Sequence, residues 1–254
     1  MNIKSIAVLS GVALAASLPV LAQQPQPKSP KERDALMKVQ TDAQQNNIDQ
    51  ELKDIQYVLE TFADTQFKVQ LLNMATDAAS REGNYEQTVI WGERTLQADP
   101  NNIPVRVTLA QSIVGHTREN DLDKDQSLKK VTDYANKALE LTKAATAAPV
   151  GIPADQWPDF KKDFMAQAHE ALGQAAALNK NYPEAVDDFK LAISEAARLD
   201  PVTYARLSKI YVDSKQYDDA ITTADKVLAM NDASAPVKQF AQQQKDVATK
   251  MKAK

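Results

Sequence analysis

The chain holds two histidines and no cysteine, which narrows the chemistry open to it. His169 begins the run His169-Glu170-Ala171-Leu172-Gly173. A zinc hydrolase needs a second histidine one helical turn after the first, so that two imidazoles on one helix face hold the metal while the glutamate activates water. Gly173 stands in that place, so the zinc reading fails and His169 is expected to pack between helices. Asp121-Leu122-Asp123-Lys124-Asp125 begins as a calcium loop does, with carboxylates at alternate positions. Gln126 replaces the glycine that must turn that loop, and Thr132 replaces the bidentate glutamate that must close it. No nucleophile elbow, glycine-rich phosphate loop or convergent carboxylate pair is present. The absence of cysteine excludes disulfides, thiolate metal sites and lipid attachment through an N-terminal cysteine. The expectation is a protein that is not an enzyme, with no metal and no cofactor.

The elements that carry these residues are legible from composition and spacing. Only six of 254 residues are glycine, while alanine, leucine, glutamine, lysine and aspartate recur throughout. That balance favours helices, and no stretch alternates β-branched and polar residues as a strand would. The chain is therefore predicted to be all-α. A net charge of −4 argues against binding nucleic acid by phosphate neutralisation.

Residues 1–22 carry one lysine, Lys4, then an apolar run and Val20-Leu21-Ala22. This is the pattern of a cleavable signal peptide, removed after Ala22. With no cysteine after the run, an export signal of bacterial type implies a free periplasmic protein, with no membrane span after cleavage. Residues 23–28 form a Pro/Gln-rich tether. Residues 29–254 are expected to form a single helical domain.

Within that domain, Ser29-Pro30 should start a first helix that stops near Asn46-Asn47. Leu52, Ile55, Val58, Leu59 and Phe62 place one apolar stripe on a second. Gly83-Asn84-Tyr85 marks a helix end that needs a left-handed residue, and Asp99-Pro100 closes that unit. Leu109-Ala110 and Ile113 begin another pair, with Trp91 expected to cover the outer surface of the preceding one. An enlarged turn follows at 116–127, with the second helix resuming at Leu128. A proline-rich break spans 144–159, where Asp155 is the expected cap of the next helix and Trp157 either packs against its first turn or stands exposed as an anchor.

The strongest repeat signal lies at 169–193 and again about 35 residues later. Leu172-Gly173, Ala176, Tyr182, Ala185, Phe189, Ala192 and Ile193 are matched by Leu207-Ser208, Tyr211, Tyr217, Ala220, Ala224, Val227 and Leu228. A period near 34, with small residues where two helices approach, resembles the tetratricopeptide repeat (TPR) family, here an exported bacterial member. Phe62-Ala63-Asp64-Thr65-Gln66-Phe67 is similar to the aromatic-small-Asp-Ser/Thr linker of envelope repeat proteins of the outer-membrane-assembly and Tol-associated kinds.

The resemblance implies a right-handed superhelical solenoid of about five antiparallel helix pairs with a C-terminal capping helix from Ala235 to Lys252. Val237, Phe240, Ala241 and Val247 would form that helix's inner side. It also implies a concave groove lined by first helices, with Asn73, Asp77, Arg81, Val107, Gln111, Glu170, Gln174, Ala205, Lys209 and Asp213 facing a protein or peptide partner. The function expected is a periplasmic protein-binding scaffold. The alternative is a structural or assembly protein that self-associates or docks on an envelope complex through Trp157 or the inserted loops. The sequence leaves the partner and the oligomeric state open.

Overall fold

The computed structural model describes residues 25–149 and 152–253. The expected signal peptide and the first two tether residues lie outside that range. Eleven α-helices and no strand occur among the described residues, as composition predicts. They are α1 (Pro30–Gln44), α2 (Ile48–Thr61), α3 (Lys68–Glu82), α4 (Tyr85–Ala98), α5 (Ile103–His116), α6 (Lys124–Ala144), α7 (Trp157–Leu178), α8 (Tyr182–Glu195), α9 (Pro201–Asp213), α10 (Tyr217–Ala229) and α11 (Ala235–Lys252). The chain divides into two compact units, one ending at Val105 and one beginning at Arg106.

In the first unit α1 packs on α2, α2 on α3 and α3 on α4. Ser29 caps α1 by accepting from the Glu32 N–H at 3.1 Å, and Pro30 occupies the first turn, where its missing N–H is not needed. Val39, Ile55, Val58, Leu71, Leu72 and Trp91 form the core, drawn from helical stripes of all four helices. Glu32 is buried inside this unit and fully engaged. The Thr65 hydroxyl donates to its Oε1 at 2.6 Å and the Lys28 N–H to its Oε2 at 2.5 Å. Those bonds tie the Phe62–Phe67 linker to the start of α1, so a buried carboxylate carries no unmet acceptor there.

One turn recurs at the end of α1, α3, α7 and α9. Asn46, Gly83, Lys180 and Lys215 take positive φ of 54°, 75°, 59° and 62°. The next residue's N–H then reaches back five residues in each case, from Asn47 to Asp42 O, Asn84 to Ala79 O, Asn181 to Ala176 O and Gln216 to Tyr211 O, at 2.8 to 3.0 Å. This left-handed closure satisfies carbonyls the helix end would otherwise strand, and it folds the chain back within three residues. Gly83 and Asn46 announce the turn in sequence, and the two lysines do not.

In the second unit α6 packs on α7, α7 on α8, α8 on α9, and α9 on α10, while α11 lies against both α9 and α10. Phe189, Leu207, Ile210, Tyr211, Ala220 and Ala248 make one core cluster, and Ala205, Val227 and Ala241 belong to a second. Burying a ring such as Phe189 stabilises by about 2–3 kcal/mol.

Several boundaries differ from the sequence reading. α6 starts at Lys124, not Leu128, because its first turn is solvent-facing and shows no apolar period; the inserted turn shrinks to 117–123. Asp155 does not cap α7. Gln156 holds the cap position without a side-chain bond, and the helix is entered from a turn in which Gln156 and Trp157 both donate to Pro153 O. α8 ends at Glu195, where the Asp163 carboxylate takes the Ala197 N–H at 3.1 Å and draws the chain out of the helix, an end no local signal marks. In α11 the buried positions are Ala241 and Ala248, two turns apart, and Val247 is exposed.

Candidate functional site

The polar positions expected on the first-helix face exist, and most are already bonded within the protein. In the first unit Asn73, Asp77 and Arg81 follow one another at four-residue steps along α3, which puts them on one stripe. The Arg81 guanidinium holds three elements together. Its Nε donates to Asp77 Oδ2 at 2.9 Å, one Nη to Asn46 Oδ1 at 2.7 Å and the other to Glu51 Oε2 at 3.4 Å. Burial pushes the Glu51 carboxyl above the usual range, and the Arg81 charge opposes that rise. Asn73 accepts from Asn102 Nδ2 at 3.0 Å, and Asn102 in turn accepts from the Val105 N–H.

In the second unit Gln111 donates to the Gln167 carbonyl at 2.6 Å, fixing α5 to α7. Lys209 pairs with Asp213 one turn on at 2.5 Å, and both remain exposed. Gln174 reaches the Glu170 carbonyl at 3.4 Å. Glu170 itself is only 7% exposed and pairs with Arg206 of α9. Burial raises its carboxyl above the ordinary range, with Arg206 pulling the other way. It is an interhelix tie, not a free groove carboxylate. Val107 and Ala205 are also buried, a correction to their placement on an open face: both are apolar positions that the core claims.

His169 packs between helices as expected. Its Nδ1 lies 2.8 Å from Asp188 Oδ1 and its Nε2 3.6 Å from Glu195 Oε2, so α7 is joined to the middle and the C-terminal end of α8. Gly173 lies where Phe189 of α8 crosses α7. Trp157 is 7% exposed and its ring packs on Phe164 at 6.3 Å, with Phe160 6.0 Å from the same ring. The packing reading of Trp157 holds, and the exposed-anchor reading does not. The Asp121 carboxylate of the inserted turn accepts the Arg118 N–H at 2.6 Å, and Leu122 at its tip is fully exposed.

Sequence reasoning missed a channel on the opposite, second-helix side of the first unit. Leu52, Gln56 and Tyr57 of α2 face Gln87 and Trp91 of α4 across an open groove of about 440 Å³. Trp91 was expected to cover the pair. It does so at 5% exposure, with its indole N–H donating to Gln87 at 3.1 Å and the Arg94 guanidinium 4.3 Å above its ring. The signal for the channel was the pair Tyr57 and Trp91, which no one-helix pattern joins.

No protein-family model matches the sequence, and no curated protein matches it. Solved structures do. A thermophilic TPR protein of Thermus thermophilus is similar over 84% of this chain and 98% of its own, with a TM-score of 0.57 at 14% identity. MamA aligns over 72% of this chain and 87% of its own, at 17% identity and TM-score 0.47. A tetratricopeptide repeat protein from Parabacteroides merdae aligns over 87% and 90%, at 14% identity and TM-score 0.45. At these identities the likeness speaks for architecture. Together with the helix pairs, the repeated left-handed turn and the 35-residue spacing, the first of these matches gives the conclusion that the chain has the tetratricopeptide-repeat fold.

Proposed function

We propose that the protein is a non-enzymatic periplasmic adaptor that holds a peptide or protein segment along its first-helix face. The observation that carries this reading is the Arg81 fork. Asp77 of α3, Glu51 of α2 and Asn46 of the turn between α1 and α2 hold that guanidinium, so Asn73, Asp77 and Arg81 present one fixed arrangement to a ligand. A surface ordered before binding loses little side-chain entropy when a partner arrives. The test is site-specific photocrosslinking in intact cells, with the crosslinker at exposed Asp77 and at exposed Lys209. The expected result is a discrete adduct from each site. No adduct from either, with folded protein confirmed, would overturn groove recognition. Location is tested separately by sequencing exported material, which should begin at Gln23; a retained Met1 would sink the export reading.

A second reading, docking on an envelope complex through an inserted turn, draws support from Leu122. It stands fully exposed at the tip of a turn braced by Arg118, whose guanidinium donates to the Gly115 carbonyl at 2.7 Å. If Leu122→Ser abolishes co-purification with a complex while the Asp77 adduct persists, this reading takes precedence.

A further inference from the structure

We propose that His169, Asp188 and Glu195 form a proton-operated latch between α7 and α8, closed while the imidazole carries two protons and open at its Glu195 end once it carries one. The two ring nitrogens face two carboxylates, Nδ1 2.8 Å from Asp188 Oδ1 and Nε2 3.6 Å from Glu195 Oε2. The three side chains are largely buried, at 9%, 13% and 25% exposure. A neutral imidazole has one N–H and one lone pair, so in either tautomer one nitrogen turns a lone pair toward a carboxylate. The imidazolium donates at both. The Glu195 oxygen that faces Nε2 is also a buried one that accepts no hydrogen bond among the described residues. A proton on Nε2 supplies the missing donor, and a movement of under about 1 Å brings the pair to the length of a charge-assisted hydrogen bond.

The surrounding charges leave this task to His169. Glu195 stands in the last turn of α8, where the helix carbonyls repel an anion, and that turn has no basic residue. Among the described residues no ion pair joins Glu195 to a lysine or arginine, and Arg198, just beyond the helix, is exposed. On α7, Glu170 is paired with Arg206 of α9, and Asp163 holds the Ala197 N–H. On α6, also packed against α7, Lys129 pairs with Asp133 and Lys137 with Glu140. On α9, packed against α8, Lys209 pairs with Asp213. Imidazole is the side chain that ordinarily changes charge between about pH 5 and about pH 8. The shorter Asp188 contact keeps the proton on Nδ1, so deprotonation falls on Nε2. The Glu195 carboxylate then loses its donor and turns toward solvent, while the Asp188 contact stays shut.

The test is NMR spectroscopy of the full chain at about pH 5 and about pH 8. Proton–nitrogen correlation spectra of the imidazole are expected to show both nitrogens of His169 protonated at the lower pH and Nδ1 alone at the higher. The Ala196 N–H, bonded to Ala192 O, and the Ala197 N–H, bonded to Asp163, report on the end of α8. Their protection from hydrogen exchange, relative to the amides of α10, should fall about tenfold between the two conditions, as one hydrogen bond between charged groups is lost. Glu195→Gln offers a carboxamide that donates to the neutral Nε2, so its protection should be the same at both. The latch is overturned if His169 carries the same number of protons at both pH values, or if Ala196 and Ala197 do not follow the ring. It is also overturned if Glu195→Gln keeps the parent's response, or if that response survives in His169→Gln, because another group would then own it.

Discussion

The Phe189 ring fills the space that a Cβ on Gly173 would need. Phe189 Cδ2 would lie 2.8 Å from that atom, and the Ala185 carbonyl oxygen 3.2 Å from it. Gly173 is thus a close-approach glycine inside a helix, at φ that any residue could adopt. Gly173→Ala gains about 1 kcal/mol of helix propensity. It must also displace a fully buried ring, which overpacking data put at about 1–3 kcal/mol. The net expectation is a loss of up to about 2 kcal/mol, read by denaturant unfolding. A stabilised variant would mean that α7 and α8 are free to part.

Lys215 takes a left-handed conformation, and among the described residues its side chain makes no hydrogen bond or ion pair to compensate. A non-glycine residue there costs about 1 kcal/mol. Lys215→Gly should recover most of that and raise the melting temperature by a few degrees. Lys180 is the weaker place to test this, since its ammonium pairs with Glu119 at 2.5 Å.

Glu170 gives stability an unusual dependence on pH. Its folded carboxyl is raised above the unfolded value of 4.5, chiefly by burial. A raised carboxyl binds its proton more tightly in the folded state, so its contribution is complete below pH 4.5 and is lost as pH rises through the higher folded value. Glu170→Gln cannot titrate and lacks that loss. Relative to the parent, its melting temperature should rise as the pH moves from 4.5 toward neutrality. Glu51 is raised for the same reason and cancels in the comparison. A difference that shrinks with pH would mean that the Arg206 pair outweighs burial.

Trp157→Ala should act on stability. Removing a buried indole from the Phe160–Phe164 stack costs about 3 kcal/mol or more. Partner adducts from Asp77 should persist at temperatures where the variant is still folded. Loss of adducts without loss of stability would return Trp157 to the role of an anchor.

The helix pairs were readable because their signals are local. Apolar residues at three- and four-residue spacing, Ser29-Pro30, Asp99-Pro100 and Gly83 each fix the conformation of their own neighbourhood. In the structure Asp200 caps α9 by accepting the Val202 N–H at 3.0 Å. Where a boundary depended on a distant group, the sequence was silent. The end of α8 is set by Asp163, 34 residues before Ala197. The left-handed turns at Lys180 and Lys215 follow from closing one helix on the next, and nothing in lysine predicts them.

By itself the sequence determined the all-helical class, the 35-residue spacing of its units, the small residue at Gly173 and the absence of the second histidine that zinc chemistry requires. All of these follow from residue type and interval along one chain. The tertiary structure alone decided which polar groups remain available. Glu170 faced the groove by register, yet burial and Arg206 removed it from the surface; Arg81 was committed to Asn46 and Glu51. Tyr57 and Trp91, 34 residues apart, became the walls of one channel. Exposure and pairing depend on what lies across an interface, and that is a property of packed helices that no single helix carries.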